Sequence, residues 1–159
     1  MSHWKQFKSK ACSIALQAED KPAALEEIVG NFVGAQVLDR ARGALALAAM
    51  TDREALATTG VGMGVAIPHI KLAGLERAVA SLSVHRTGLE WGAVDGAPVQ
   101  VVFAVLRPDR PSDLHDPAQH LELMQWIARL ARNADFRSFA LQATRKAQLV
   151  ELLQEMAGV

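Results

Sequence analysis

The stretch "TTGVGMGVAIPHI", residues 58–70, decides how the chain is read, because it joins a glycine turn to a short apolar strand and delivers one imidazole at its end. Val65 to Ile67 is the β-prone run, and Pro68, which has no N–H to donate, ends that ladder. On a two-residue period Val65, Ile67 and His69 share a face. With the two aliphatics turned into a core, His69 emerges at its rim on a stiff Ile-Pro backbone. Gly60, Gly62 and Gly64 let another backbone or a phosphate come close. Neither familiar phosphate loop is present. A dinucleotide fingerprint needs a third glycine where Val65 stands and runs from strand to helix, and the Gly-Lys-Ser/Thr of a Walker loop is missing.

Outward from this stretch the patterns become helical. Residues 20–33 open with Asp20 as an N-cap and Pro22 in the first turn, followed by Leu25, Ile28, Val29 and Phe32 at helical spacing. A second helix fills 39–57 and is rich in small residues, which lets it lie close to a neighbour. Beyond His69, residues 78–85 alternate roughly between apolar and polar, whereas 98–106, "PVQVVFAVL", reads as a strand buried on both faces. The link between them carries Gly88, Gly92 and Asp95-Gly96, all turn chemistry. Residues 107–117 form a polar, proline-punctuated loop that ends with Asp116 capping a helix over 117–132. In that helix His120, Met124, Ile127 and Ala131 form one stripe, so His120 sits in the first turn beside the core-facing side. Further helices start at Asp135 and Thr144. These elements predict an α/β single domain over 1–159: a mixed β-sheet covered by helices on both faces.

Composition narrows the function. The 159 residues are 50% apolar, and 17 Lys+Arg balance 17 Asp+Glu, which argues against a general attraction to nucleic acid or to an anionic membrane. No apolar run reaches the roughly 20 residues of a membrane-spanning helix. One cysteine, Cys12, forms no internal disulfide, and no secretory leader pattern follows the basic start, so a reducing cytoplasm is expected. Lys5, Lys8 and Lys10 read as a solvated terminus and His3 as part of a disordered one.

The chemistry is carried by a small set of residues. His120, near a helix N-terminus, lies where the helix dipole favours an anion. Arg53, sixteen residues before His69, offers a guanidinium for a phosphoryl oxygen. The Thr58 and Thr59 hydroxyls adjoin the glycine turn. Two imidazoles, an arginine and glycine-exposed amides suit a transient phosphohistidine on His69, with Thr59, Gly60, Gly62 and Gly64 as phosphate-binding candidates.

Three segments then point to a known family. "DREALATTGVGMGVAIPH" (52–69), "WGAVDGAPVQVVFAV" (91–105) and "HLELMQWIARL" (120–130) closely resemble the enzyme IIA proteins of the fructose/mannitol and nitrogen-regulatory class of the bacterial phosphotransferase system. The resemblance covers about 20–156. It implies that His69 accepts a phosphoryl group from an HPr-like phosphocarrier, that His120 supports it, and that Arg53 lies at the site. It implies the same fold as the patterns do, and neither cofactor, nucleotide nor metal. A chain without an attached permease leans toward the nitrogen-regulatory branch, whose members signal by phosphorylation state to a transporter or sensor kinase; homodimerisation is left open. One residue departs from the family pattern: Ile70 stands where a small residue usually follows the histidine. Its bulk is expected to hinder a generic phosphate donor.

His85, His115, Asp113 and Asp116 lack the spacing of a zinc site, and His85 and His115 are expected to be surface residues. Trp91 and Trp126 fit packing better than ligand stacking. A sugar-specific IIA component, or a regulatory module of this fold that only binds, remains the alternative. The joint presence of His69, His120 and Arg53 favours chemistry.

Overall fold

The computed structural model describes residues 2–159. Helix α1 (Lys21–Gly34) starts at Asp20, whose side chain accepts from the Ala23 N–H, and α2 (Arg40–Leu56) starts at Asp39, which accepts from Arg42. Five strands follow: β1 (Gly60–Gly62), β2 (Val65–Ala66), β3 (His69–Leu72), β4 (Val79–Leu89) and β5 (Val99–Pro108). Helices α3 (Pro117–Arg132), α4 (Ala134–Gln142) and α5 (Lys146–Glu155) complete the described elements.

Strand β5 organises the sheet. On one side β2 and then β3 run parallel to it, with Val65 opposite Val101 and His69 opposite Val105. On the other side β4 runs antiparallel, and β1 pairs only with β2. A strand enclosed between neighbours and covered on both faces must be apolar throughout, and in β5 every residue from Val101 to Leu106 is buried. The mixed sheet separates two cores. Ala66, Ile70, Leu72, Val102, Ala104 and Leu106 face α1 and α2. Val65, Val101, Phe103 and Val105 face α3, α4 and α5, with Ile67 packed against that same cluster. Helices therefore cover both faces of a mixed sheet.

Several expectations need correction. The N-terminal segment is no solvated arm. Two short 3-10 turns, His3–Gln6 and Ser9–Ala11, lead it along β4, where Lys8 N–H donates to Ala80 O, Ser13 N–H to Leu82 O and Leu16 N–H to Val84 O. Phe7 and Cys12 are buried, and His3 stacks on Trp126 at 5.8 Å between ring centroids. Ser81 and Ser83 of β4 are fully buried instead of facing water, and Ser13 of this segment bridges Ser83. Strand β4 also runs to Leu89, past the expected end at His85. Helix α4 begins one residue before Asp135, with Asn133 accepting from the Phe136 N–H. Phe136 is fully buried but Phe139 is 56% exposed. Helix α5 begins at Lys146, and the Gln148 side chain accepts from the N–H groups of Thr144 and Arg145. Both tryptophans are buried: Trp91 Nε1–H donates to Thr59 Oγ1 and Trp126 Nε1–H to Met156 O.

Candidate functional site

Residues in register on parallel strands point to the same side, so His69 projects from β3 over the sheet face lined by Val105. That face looks toward α3. Asp116 caps α3 by accepting from the Ala118 N–H, Pro117 fixes the first turn, and one turn later His120 faces the sheet. Strand and helix thus bring His69 Nε2 and His120 Nε2 to 2.9 Å. Two ring nitrogens at this distance share one proton, one donating and the other accepting.

Both imidazoles are weak bases here. Burial pushes His69 down to about 4, aided by the positive charges of Arg107 and Arg53. Burial also lowers His120 to about 4, aided by His69, Arg107 and His115. At neutral pH the rings are uncharged, so a ring nitrogen keeps its lone pair as a nucleophile. The surrounding arginines disfavour an imidazolium and favour an arriving anion.

Arg53 is half-buried at the end of α2, where its Nη1–H donates to Ala57 O at 2.6 Å. Its charge, with that of Arg107, acts on His69. Arg107 is the residue that sequence reading missed. The sequence pattern puts it in the loop over 107–117, yet it lies within the strand, opposite Lys71. Its signal was available: Val101, Phe103, Val105 and Arg107 form one alternating face, with a cation at the end of an apolar row. Arg107 Nε is buried and has no hydrogen-bond partner. Lys71 and Arg107 are like charges in register, a costly arrangement that an anion between or beside them relieves.

The glycine turn sits elsewhere. Gly64 is paired through its carbonyl with the Gln100 and Val101 N–H groups, four residues of β5 before the partner of His69, or about 13 Å along a strand. Gly62 (φ 100°) and Gly64 (φ 76°) shape the β1–β2 hairpin tip, and the Met63 N–H there donates to Asp95. The Gly60 N–H donates to Thr58 Oγ1. The Thr59 hydroxyl bonds Glu54 and accepts from Trp91, and Lys21 pairs with Glu54 at 3.2 Å. Gly62 and Gly64 therefore build the hairpin instead of cradling an anion at His69, and the Thr59 hydroxyl is already committed. Thr59 does stay beside the site, since its carbonyl accepts from the Ile67 N–H two residues before His69.

Ile70 also corrects an expectation. Alternation turns it away from His69, and it is 7% exposed in the core against α1 and α2. It adds no bulk to the surface a partner would meet. Neither His85 nor His115 is a surface residue. His85 Nε2–H donates to Ala18 O at 2.8 Å, and its Nδ1 accepts from the Gly88 N–H, tying the N-terminal segment to β4. His115 is buried beside His120. Among the described residues no group of three or more His, Cys, Asp or Glu side chains has metal-binding geometry.

Comparison with known proteins bears on what this pair of imidazoles belongs to. Residues 5–156 match the model of the family described as "Phosphoenolpyruvate-dependent sugar phosphotransferase system, EIIA 2". The chain belongs to that family. It is 35% identical to a nitrogen regulatory protein of Bradyrhizobium diazoefficiens, over 86% of this chain and 83% of that protein. It is 29% identical to a fructose-specific EIIA component of Haloferax volcanii, over 86% of this chain and 84% of that one. The crystal structure of the nitrogen regulatory protein IIA-Ntr from Neisseria meningitidis superposes with a TM-score of 0.77 over 94% of this chain and 97% of that one, at 23% identity. The EIIA fold is shared even where the sequence has drifted.

Proposed function

We propose that this EIIA 2 protein is a phosphohistidine carrier of nitrogen-regulatory type, taking a phosphoryl group on His69 Nε2 from an HPr-like phosphocarrier. The observation that carries this reading is the 2.9 Å contact between two imidazoles held neutral by burial and neighbouring cations. The His69 lone pair attacks phosphorus in line and forms the new P–N bond, while the donor's P–N bond breaks and returns its electron pair to the donor ring. A PO3 unit moves between rings, and neither ring has to exchange a proton during the transfer. His120 Nε2–H then turns from the His69 nitrogen to a phosphoryl oxygen, with Arg53 and Arg107 offsetting the dianion.

In this reading residues 1–159 act as one phosphotransfer domain in the cytoplasm, and the phosphorylated and free forms signal to a target such as a transporter or sensor kinase. No helix among the described residues is long and apolar enough to cross a membrane. The nitrogen-regulatory assignment draws support from the Bradyrhizobium relative, which is more similar than the fructose-specific one. The latter's similarity over nearly equal length favours a second reading, a sugar-specific IIA component that passes phosphate to an enzyme IIB.

Incubation with phosphoenolpyruvate, enzyme I and the HPr-like carrier tests the first step. One acid-labile phosphate on the wild type, none on His69→Ala, and slower labelling of a folded His120→Ala are the expected results. Equal labelling of His69→Ala and wild type contradicts the assignment. Rapid onward transfer to a fructose- or mannitol-type enzyme IIB supports the sugar-specific reading instead.

A further inference from the structure

The residues just before α3 hold a histidine that the phosphotransfer scheme has not used. Ser112 and His115 exchange both backbone hydrogen bonds, at 3.0 and 3.1 Å, and the Ser112 hydroxyl accepts from the Leu114 N–H while donating to Glu76 O. This closed turn fixes the His115 backbone directly ahead of the Asp116 cap. His115 is 5% exposed, and its ring stands edge-on to that of His120, with centroids 5.3 Å apart and planes at 63°. Two polar atoms in this pair are buried without partners: His115 Nε2 and His120 Nδ1. Such orphans are uncommon in folded proteins, and two in one ring pair need a physical reason. A cavity of about 40 Å3, lined by both rings together with Gln6, Asp116 and Gln119, adjoins them. One water requires roughly 10–15 Å3.

The chemistry of His120 restricts what its Nδ1 can be. His69 must present a lone pair at Nε2 to attack phosphorus, so the proton in the 2.9 Å contact belongs to His120 Nε2. A neutral His120 protonated at Nε2 carries a lone pair at Nδ1, and a buried acceptor needs a donor. The tautomer of a functional imidazole is set by the partner of its other nitrogen. Asp116, the other charged group beside His115, is already engaged in capping α3, and Arg107 contributes positive charge to the cluster.

We propose that His115 is a positioning residue: its Nε2–H, through one water in this cavity, donates to His120 Nδ1 and holds His120 in the tautomer that presents Nε2–H to His69 and then to the phosphoryl group. The inference rests on the phosphocarrier reading for its consequence, though not for its geometry. When the phosphoryl dianion raises the basicity of His120, the same His115 nitrogen, in its other tautomer, accepts from His120 Nδ1–H. His115 thus supports both protonation states of its neighbour.

The test is a long-range 1H–15N correlation spectrum of the histidine rings at pH 7.5, in wild type, His115→Leu and His115→Gln, paired with single-turnover phosphoryl transfer from the HPr-like carrier. Wild-type His120 is expected as the Nε2–H tautomer. His115→Leu should mix the two tautomers of His120 and slow transfer about tenfold, in the range for losing the outer partner of a functional imidazole. His115→Gln, whose amide supplies a donor, should restore both. A wild-type His120 protonated at Nδ1 overturns the proposal whatever the variants do. So does a folded His115→Leu with unchanged His120 shifts and unchanged rate. Failure of the wild type to take phosphate at all counts against the phosphocarrier reading, while the His120 spectrum still decides the tautomer.

Discussion

At the scale of single residues, the proposed phosphotransfer depends on imidazoles that stay neutral. An ordinary histidine titrates near 6.5, and half of its nucleophile would already be protonated there. Burial and the charges of Arg107 and Arg53 hold His69 near 4. Protonation removes the lone pair, so phosphoryl acceptance should persist as pH falls through 6.5 and decline only on approach to 4. Single-turnover rates between pH 4.5 and 8, with the donor's own titration measured separately, check this. Loss of acceptance centred near 6.5 would mean that His69 is not desolvated as the structure has it. Replacing Arg107 with Leu removes one cation and should raise the His69 pKa while slowing transfer, two effects visible by NMR titration and rapid quench.

At the scale of elements, the strand and the helix have different tasks. Strand β3 alternates: His69 reaches the site and Ile70 anchors the strand in the core against α1 and α2. Ile70→Ala should therefore cost about 2–5 kcal/mol, as expected for truncating a buried aliphatic, and leave the choice of phosphate donor unchanged. Urea denaturation and competition between donors check the two parts. A stable variant with broadened donor choice would return Ile70 to the docking surface. The caps Asp20 and Asp116, with Pro22 and Pro117, made two helix starts legible because capping is a local interaction, whereas the Asp39 cap emerged only in the structure. Arg107 continues the alternating face of Val101, Phe103 and Val105, but the prolines that follow it give its segment the look of a loop. The glycine turn misled for the opposite reason. Its composition suits an anion, but strand register carries Gly62 and Gly64 to the hairpin tip, and register depends on a partner strand far away in the sequence.

At the scale of the molecule, the sheet divides two cores, and the N-terminal segment closes the one that supports the site. Phe7 meets Phe103 and Trp126 edge-on, at 6.2 and 6.1 Å between centroids, so the first residues brace β5 against α3. Phe7→Ala should destabilise the protein by about 3–5 kcal/mol, measurable by chemical denaturation, and a loss below 1 kcal/mol would return the segment to the role of a loose arm. Sequence patterns identified the mixed sheet with helices on both faces, because each element's apolar period reports which faces are covered. They could not show that a lysine-rich start lies along β4, or that His85 and His115 are buried. Those facts depend on long-range pairing, and charged side chains conceal them by reaching water from a buried backbone.

The central claim is that His69 Nε2, the atom facing His120, carries the phosphoryl group. The most direct measurement is a long-range 1H–15N correlation spectrum of the protein after phosphorylation by phosphoenolpyruvate through enzyme I and the HPr-like carrier, kept at alkaline pH where phosphohistidine survives. The account predicts one phosphoimidazole, on His69, bonded through Nε2, with the His120 Nε2 resonance shifted as its N–H moves to a phosphoryl oxygen. Phosphorylation at Nδ1, or on any residue other than His69, would contradict it.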